Sequence, residues 1–299
     1  MTDFQRHWTA FVFLAVIAVL PAWHPLLQIL SLSWHNDEYT HILLILPLVA
    51  LIVFLERKSV RQSYRWGSFS GPALMAIAAV SAFAAYFYRQ SLAPDVAPAL
   101  EVSALVMWWI GSFVLCFGRG VAQAFSFTIL LLLGLVPLPG IVLDRIIAVL
   151  QIASAWSAHA LFALCGVPVV QNGILLTIPN LTLQVAHECS SIRSSSMLLV
   201  TTIVVAEVLL RAPWKKALLI ALAIPLSVAK NGLRIFVIAM LGTRVDPAYL
   251  TGNLHREGGI LFFALALICI FAVLAILQRG ETKTIHSGLP GPSAATTGD

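Results

Sequence analysis

About eight apolar stretches, each bounded by short polar segments, set what this chain can become: residues 8–30, 41–55, 71–88, 100–117, 121–136, 192–210, 217–241 and 259–277. A helix needs about 20 mostly apolar residues to cross the hydrocarbon of a bilayer, and several of these stretches lie near the lower limit. Inside the hydrocarbon no water satisfies a backbone N–H or C=O, so a spanning segment must close its own hydrogen bonds as a helix. The composition agrees. Of 299 residues, 60% are hydrophobic and 10% charged, where a soluble domain carries about a quarter charged. The expected fold is an all-α polytopic membrane protein with about eight transmembrane helices. The formal net charge of +5 falls mostly in loops. It reads as an orientation signal, and nucleic acid is not an expected partner.

The basic residues sort by loop. Arg57, Lys58, Arg61 and Arg65 follow the second stretch, Arg119 the fourth, Arg211, Lys215 and Lys216 the sixth, and Arg279 and Lys283 the last. All fall on one side if the chain starts inside, the positive-inside pattern. Both termini are then cytoplasmic. The first stretch follows Arg6 but has no small-x-small cleavage site after it, so it reads as a retained span. Residues 141–165 are also long and apolar, but Asp144, Arg145, Gln151, Ser154 and His159 give them a mildly polar stripe. A crossing there would turn Arg211, Lys215 and Lys216 outward. The expectation is a helix in the outer interface, after the break at Pro137 and Pro139.

Residues 167–185 read as strand. Asn172-Gly173 between β-prone runs signals a hairpin, Pro179-Asn180 a second turn, and residues 181–185 alternate. Open strands cannot face lipid, so this small β-meander belongs on the outer surface. Residues 1–279 form one expected transmembrane domain. Residues 280–299, rich in Gly, Pro, Ser and Thr, form an expected disordered cytoplasmic tail.

The densest polar cluster follows the meander: His187-Glu188-Cys189-Ser190-Ser191-Ile192-Arg193-Ser194-Ser195-Ser196. Its serines are good helix-start residues, which puts Cys189 at or just before a helix N-terminus. That end favours a thiolate, and Arg193 adds a full positive charge. Cys116 and Cys269 lie in apolar runs and read as packing residues. No cysteine pair has C-x-x-C spacing, so neither a zinc site nor a dithiol is indicated. In the seventh stretch Asn231 and Arg234 share a helix face, and Lys230 lies one turn from Arg234. Charge within a span is costly and reads as functional. Arg234 lies near the expected outer end; Lys230 lies deeper and reads as structural. His255 enters the last span from the same side. Cys, His and Arg together make an acyl-transfer set: nucleophile, general acid/base and oxyanion partner. His24, His35, His41 and His159 are rivals for the acid/base role, as is His187.

These motifs, in this order, resemble the exosortase/archaeosortase family: His187 to Ser194, then Asn231-Gly232-Leu233-Arg234-Ile235, then His255 followed by Gly258 or Gly259. Asp37-Glu38-Tyr39-Thr40-His41 is similar to a further family motif. The resemblance runs from about the second span to the last. Ser191 stands where Gly is expected, and Ile42 where the early motif often has Gly. The resemblance implies a multi-pass inner-membrane cysteine transpeptidase with its active site facing the periplasm. Such an enzyme cleaves exported proteins that end in a Pro-Glu-Pro-like box, one transmembrane helix and a basic tail. It implies Cys189, Arg234 and His255 as catalytic residues, with Glu188, Arg193, Asn231 and His41 in support. No metal or cofactor is required. The expected partners are the C-terminally tagged secreted proteins and membrane lipid. Two other readings stay open: a transporter with Lys230 and Arg234 lining an anion pathway, and a membrane acyltransferase using Cys189 on a lipid thioester.

Overall fold

The computed structural model describes residues 3–63, 70–185, 192–250 and 253–287, with side chains described except at 3–4, 55–63, 253–258 and 281–287. The described residues are mostly helical, with one small antiparallel sheet. Among the described residues, seven helices are long and apolar enough to cross a membrane, and Ile42–Phe54 is a shorter apolar helix. Together these match the all-α polytopic expectation. The chain divides into two compact units, Met1–Ile146 and Ile147–Asp299.

The first unit holds α1 (Asp3–His35), α2 (Ile42–Ser63), α3 (Ser70–Tyr88), α4 (Val96–Ala124) and α5 (Ser126–Leu133), and α6 (Gly140–Leu164) begins in it. Without a hydrophobic drive between helices in lipid, close packing decides which helices pair. Here small residues permit it. A Cβ on Gly71 would lie 2.7 Å from the Leu115 backbone nitrogen, and one on Gly111 would lie 3.0 Å from the Gly71 carbonyl oxygen. This brings α3 against α4. The indole N–H groups of Trp108 and Trp109 donate to the Leu14 and Ala15 carbonyls, each at 3.1 Å, and fix α1 along α4. Trp8, Phe11, Phe113, Phe117 and Phe125 close one end as an aromatic cluster.

The crossing expected over 121–136 is not one helix. Gly118 takes φ 85° and ψ 167° inside α4, a conformation open to glycine, and the chain turns so that Phe125 packs on Phe113. The eight-residue α5 and the stretch 134–139 then carry it back. Gly140 N–H donates to Asp95 Oδ2 at 2.7 Å, and Tyr39 Oη donates to the Leu138 carbonyl at 3.4 Å. The chain thus returns to the end of the unit where α4 starts. The Gly140 N–H holds the Asp95 carboxyl below its ordinary pKa. Burial, then the charges of Glu38, Asp95 and Asp144, push the Tyr39 phenol up.

The second unit holds the rest of α6, strands β1 (Val170–Asn172), β2 (Leu175–Ile178) and β3 (Leu181–Gln184), then α7 (Ile192–Leu209), α8 (Pro213–Arg244) and α9 (Asn253–Ser287). The meander is present in the order β1-β2-β3. Its first turn is one residue later than Asn-Gly would centre it. Asn172 pairs with Leu175, so Gly173 (φ 61°) and Ile174 make the turn, with Gly first, as a two-residue hairpin allows. Pro179-Asn180 makes the second, with Asn180 at φ 66°, the arrangement of a type II turn. Leu176, Ile178 and Val185 pack on Ala155, Ala158 and Phe162 of α6 and Ala239 of α8.

α6 is helical over the expected range and has the length and apolarity of a span; its assignment to the interface rests on charge pattern alone. α7, α8 and α9 share a core of Leu198, Ala206, Leu219, Ala223, Ala266, Ile270 and Leu274. Cys116 is buried as expected, whereas Cys269 is exposed on α9 and does not pack in the core. α9 runs to Ser287, past the expected start of the tail. Residues 288–299 lie outside the described residues.

Candidate functional site

The site is built on one face of α8. Ser227, Lys230, Asn231 and Arg234 are spaced three, four and seven residues along a helix and therefore share a stripe. Ser227, Lys230 and Asn231 are buried, at 4%, 5% and 1% exposure. A buried polar group must find partners or cost several kcal/mol, roughly 2–7 by transfer scales. Each does. Lys230 Nζ donates to Ser194 Oγ, Ser227 Oγ donates to Ser195 Oγ at 2.6 Å, and Asn231 Nδ2 donates to Ser154 Oγ at 2.9 Å. The first two contacts join α8 to the first turn of α7. The third joins it to α6.

Gly232 makes the α6 contact close. A Cβ there would meet Ser157 Oγ at 2.3 Å and the Ala158 backbone nitrogen at 2.9 Å. No larger residue fits without movement, so the glycine beside Asn231 sets how near α6 comes. On α6, Gln151 Nε2 donates to the Val185 carbonyl at 3.0 Å. That bond holds the chain just past the end of β3.

Beside the stripe lies a cavity of about 180 Å³ lined by Gln184, Val185, Asn231, Arg234, Ile235 and Leu250, among others. Its wall therefore joins the end of the sheet to Arg234. Lys230 and Arg234 place two cations one turn apart, a field that favours a thiolate or an oxyanion nearby.

Cys189 and Glu188 lie outside the described residues, as does His187. The stretch 186–191 that carries them is bounded by described, anchored residues. Val185 lines the Arg234 cavity before it, and Ser194 and Ser195 are bonded to α8 just after it. His255 lies in the first turn of α9, with its side chain outside the described residues. Arg193 is exposed at the start of α7. His41 belongs to the first unit, where its buried Nδ1 has no hydrogen-bond partner among the described residues; on α6, His159 Nδ1 is in the same state. His35 Nδ1 lies 2.8 Å from the Ser31 carbonyl, which occupies that nitrogen. Of the expected set, the described residues bring Arg234 and Asn231 together on one wall. Sequence reasoning did not single out Ser154, Ser195 or Ser227 as partners of this face. The spacing Ser227-x-x-Lys230-Asn231-x-x-Arg234 was the signal that could have found it.

The transmembrane exosortase family model (Exosortase_EpsH) matches residues 33–272. No curated protein and no solved structure matches the chain.

Proposed function

The chain belongs to the transmembrane exosortase family, and from that membership we propose that it is a cysteine transpeptidase acting on C-terminally tagged, membrane-anchored proteins. The substrate's own helix docks from the bilayer and presents a peptide bond at the outer interface. The Cys189 thiolate attacks that carbonyl carbon, and the carbonyl oxygen becomes an oxyanion held by the Arg234 guanidinium. His255 gives a proton to the leaving amine as the C–N bond breaks. A thioester remains on Cys189. His255 then takes a proton from an acceptor, water or an amine, which displaces the thiol. Asn231 keeps the Arg234 face aligned, and Arg193 and Glu188 flank the nucleophile.

The observation that carries this reading is the anchoring of both flanks of 186–191 beside one stripe of α8: Val185 on the Arg234 cavity and Ser194 bonded to Lys230. A transporter is less well supported. Lys230 is buried and hydrogen-bonded, and it is not part of the cavity that Arg234 lines.

The test is co-expression with a protein ending in a Pro-Glu-Pro-like box, an apolar helix and a basic tail. Cys189→Ser should leave full-length substrate and form no covalent intermediate. His255→Ala should also leave substrate, while its Cys189 still reacts with iodoacetamide. Processing by Cys189→Ser would remove the cysteine mechanism. Normal processing by His255→Ala would move the acid/base role to His41 or His187.

A further inference from the structure

α1, α3 and α4 of the first unit border a cavity of about 670 Å³, well inside the range of small-ligand sites. One wall is made of small side chains, Ala78, Ala79 and Ala82 on α3 and Ala104 on α4. Another part of the lining is α1, where Pro21 and Pro25 lie inside the helix. Proline has no N–H, so the carbonyls of Ile17 and Pro21 lose their partners four residues on. Both of those residues line the cavity. At membrane depth a freed carbonyl needs another donor.

The lining becomes polar where α3 ends and α4 begins. His24, Gln28, Arg89 and Glu101 are found there. Glu101 lies in the second turn of α4, half-buried, and makes no hydrogen bond or ion pair with any described residue. Arg89 has the Tyr86 ring 6.0 Å from its guanidinium carbon. A carboxylate on the wall of a mostly apolar cavity between spanning helices is expensive, and such groups mark ligand sites by default. Glu101 calls for a cation with N–H donors. Arg89, at the same end, calls for an anion, and its planar fork suits a phosphate.

One amphiphile supplies both charges and a tail. We propose that this cavity binds a single zwitterionic phospholipid with a primary-amine headgroup, its phosphate on Arg89, its ammonium on Glu101 and an acyl chain along the alanine wall of α3. The rim has one acid and one permanent base, so a zwitterion matches it in charge. A purely anionic lipid would set its phosphate beside Glu101 with no ammonium to offset it. A choline headgroup carries positive charge but no N–H donor for the carboxylate.

The experiment uses the full chain in nanodiscs of equimolar phosphatidylethanolamine, phosphatidylcholine and phosphatidylglycerol with identical acyl chains. Native mass spectrometry after gentle delipidation counts what is retained. The expected result is one phosphatidylethanolamine per chain, favoured roughly tenfold over the other two, as a charge-assisted hydrogen bond supplies. Glu101→Gln should bring phosphatidylethanolamine down to the phosphatidylcholine level, and Arg89→Gln should lower retention of both. Ala82→Phe should fill the cavity and abolish retention. Ala79→Phe, at an exposed position, makes the same test if the first variant fails to assemble. Equal retention of the three lipids, preference for phosphatidylglycerol, or retention unchanged by filling the cavity would overturn the proposal. So would a photo-crosslinker at Ala79 that captures a polypeptide and no lipid.

Discussion

Asn231 on α8 donates its side-chain amide to the Ser154 hydroxyl on α6 at 2.9 Å, three residues before Arg234 on the same face. The bond is fully buried, and it lies one residue from the glycine that lets the two helices meet. It therefore ties the α8 face that carries Arg234 to α6.

Removing one partner should cost more than removing both. Asn231→Ala leaves the Ser154 hydroxyl without its donor and should lower stability by about 1–3 kcal/mol, whereas Asn231→Leu with Ser154→Ala should cost less than the sum of the singles. Thermal unfolding of the detergent-solubilised protein reads this. Strictly additive losses would mean that the hydrogen bond is not coupled.

Gly232→Ala should destabilise by about 1–3 kcal/mol through overpacking, because its Cβ would meet Ser157 and the Ala158 backbone. Ser157→Gly should restore part of the loss, since it removes the hydroxymethyl group and leaves the backbone contact. A Gly232→Ala protein as stable as the parent would show that α6 moves away freely.

Arg234→Lys keeps the charge but replaces a planar fork with a shorter point charge. The variant should insert and fold normally and lose most substrate cleavage, by about 100-fold or more if the guanidinium holds the oxyanion. Undiminished processing would reduce Arg234 to a side chain reaching for the interface.

Asp95 gives a signed pH response. Its carboxyl is held below the ordinary value by the Gly140 N–H, so the native state binds fewer protons than the unfolded state in that window. The stabilisation is fully present above about pH 3.9, the ordinary aspartate value, and is lost as pH falls through the lower folded value. Asp95→Asn keeps an acceptor without the titration and should flatten this acid limb. Exchange of the Gly140 amide with solvent, followed against pH, measures it; identical profiles for both proteins would refute the assignment.

The long helices were legible because apolar length alone decides them, and both turns of the meander were legible because Gly173 and Pro179-Asn180 carry special backbone geometry. What escaped depends on neighbours. The break near Gly118 was legible, since Arg119 ends the fourth apolar stretch, but that residues 121–136 do not form one helix depends on Phe125 packing back on Phe113. Lys230 reads as structural from its depth, and its partner Ser194 at the start of α7 is what the sequence does not show. Arg234 and Asn231 were identified together because helical spacing puts them on one face. The serine partner of Asn231 was not, since Ser154 lies 77 residues away in sequence. Cys189 is legible from its polar, helix-start surroundings and His255 from its place before the last span; described residues on either side of 186–191 are held against α8 or line the Arg234 cavity.

The paired indoles of Trp108 and Trp109 also imply an order of assembly. Trp108 is synthesised 94 residues after its acceptor Leu14. At about 5–20 residues per second, α1 waits in the bilayer for roughly 5–20 s before α4 reaches it. During that interval its flank toward α4 meets only lipid or the insertion machinery. α4 therefore arrives to close two latches on a helix already in place, so loss of either indole should slow biogenesis before it lowers the stability of the finished protein.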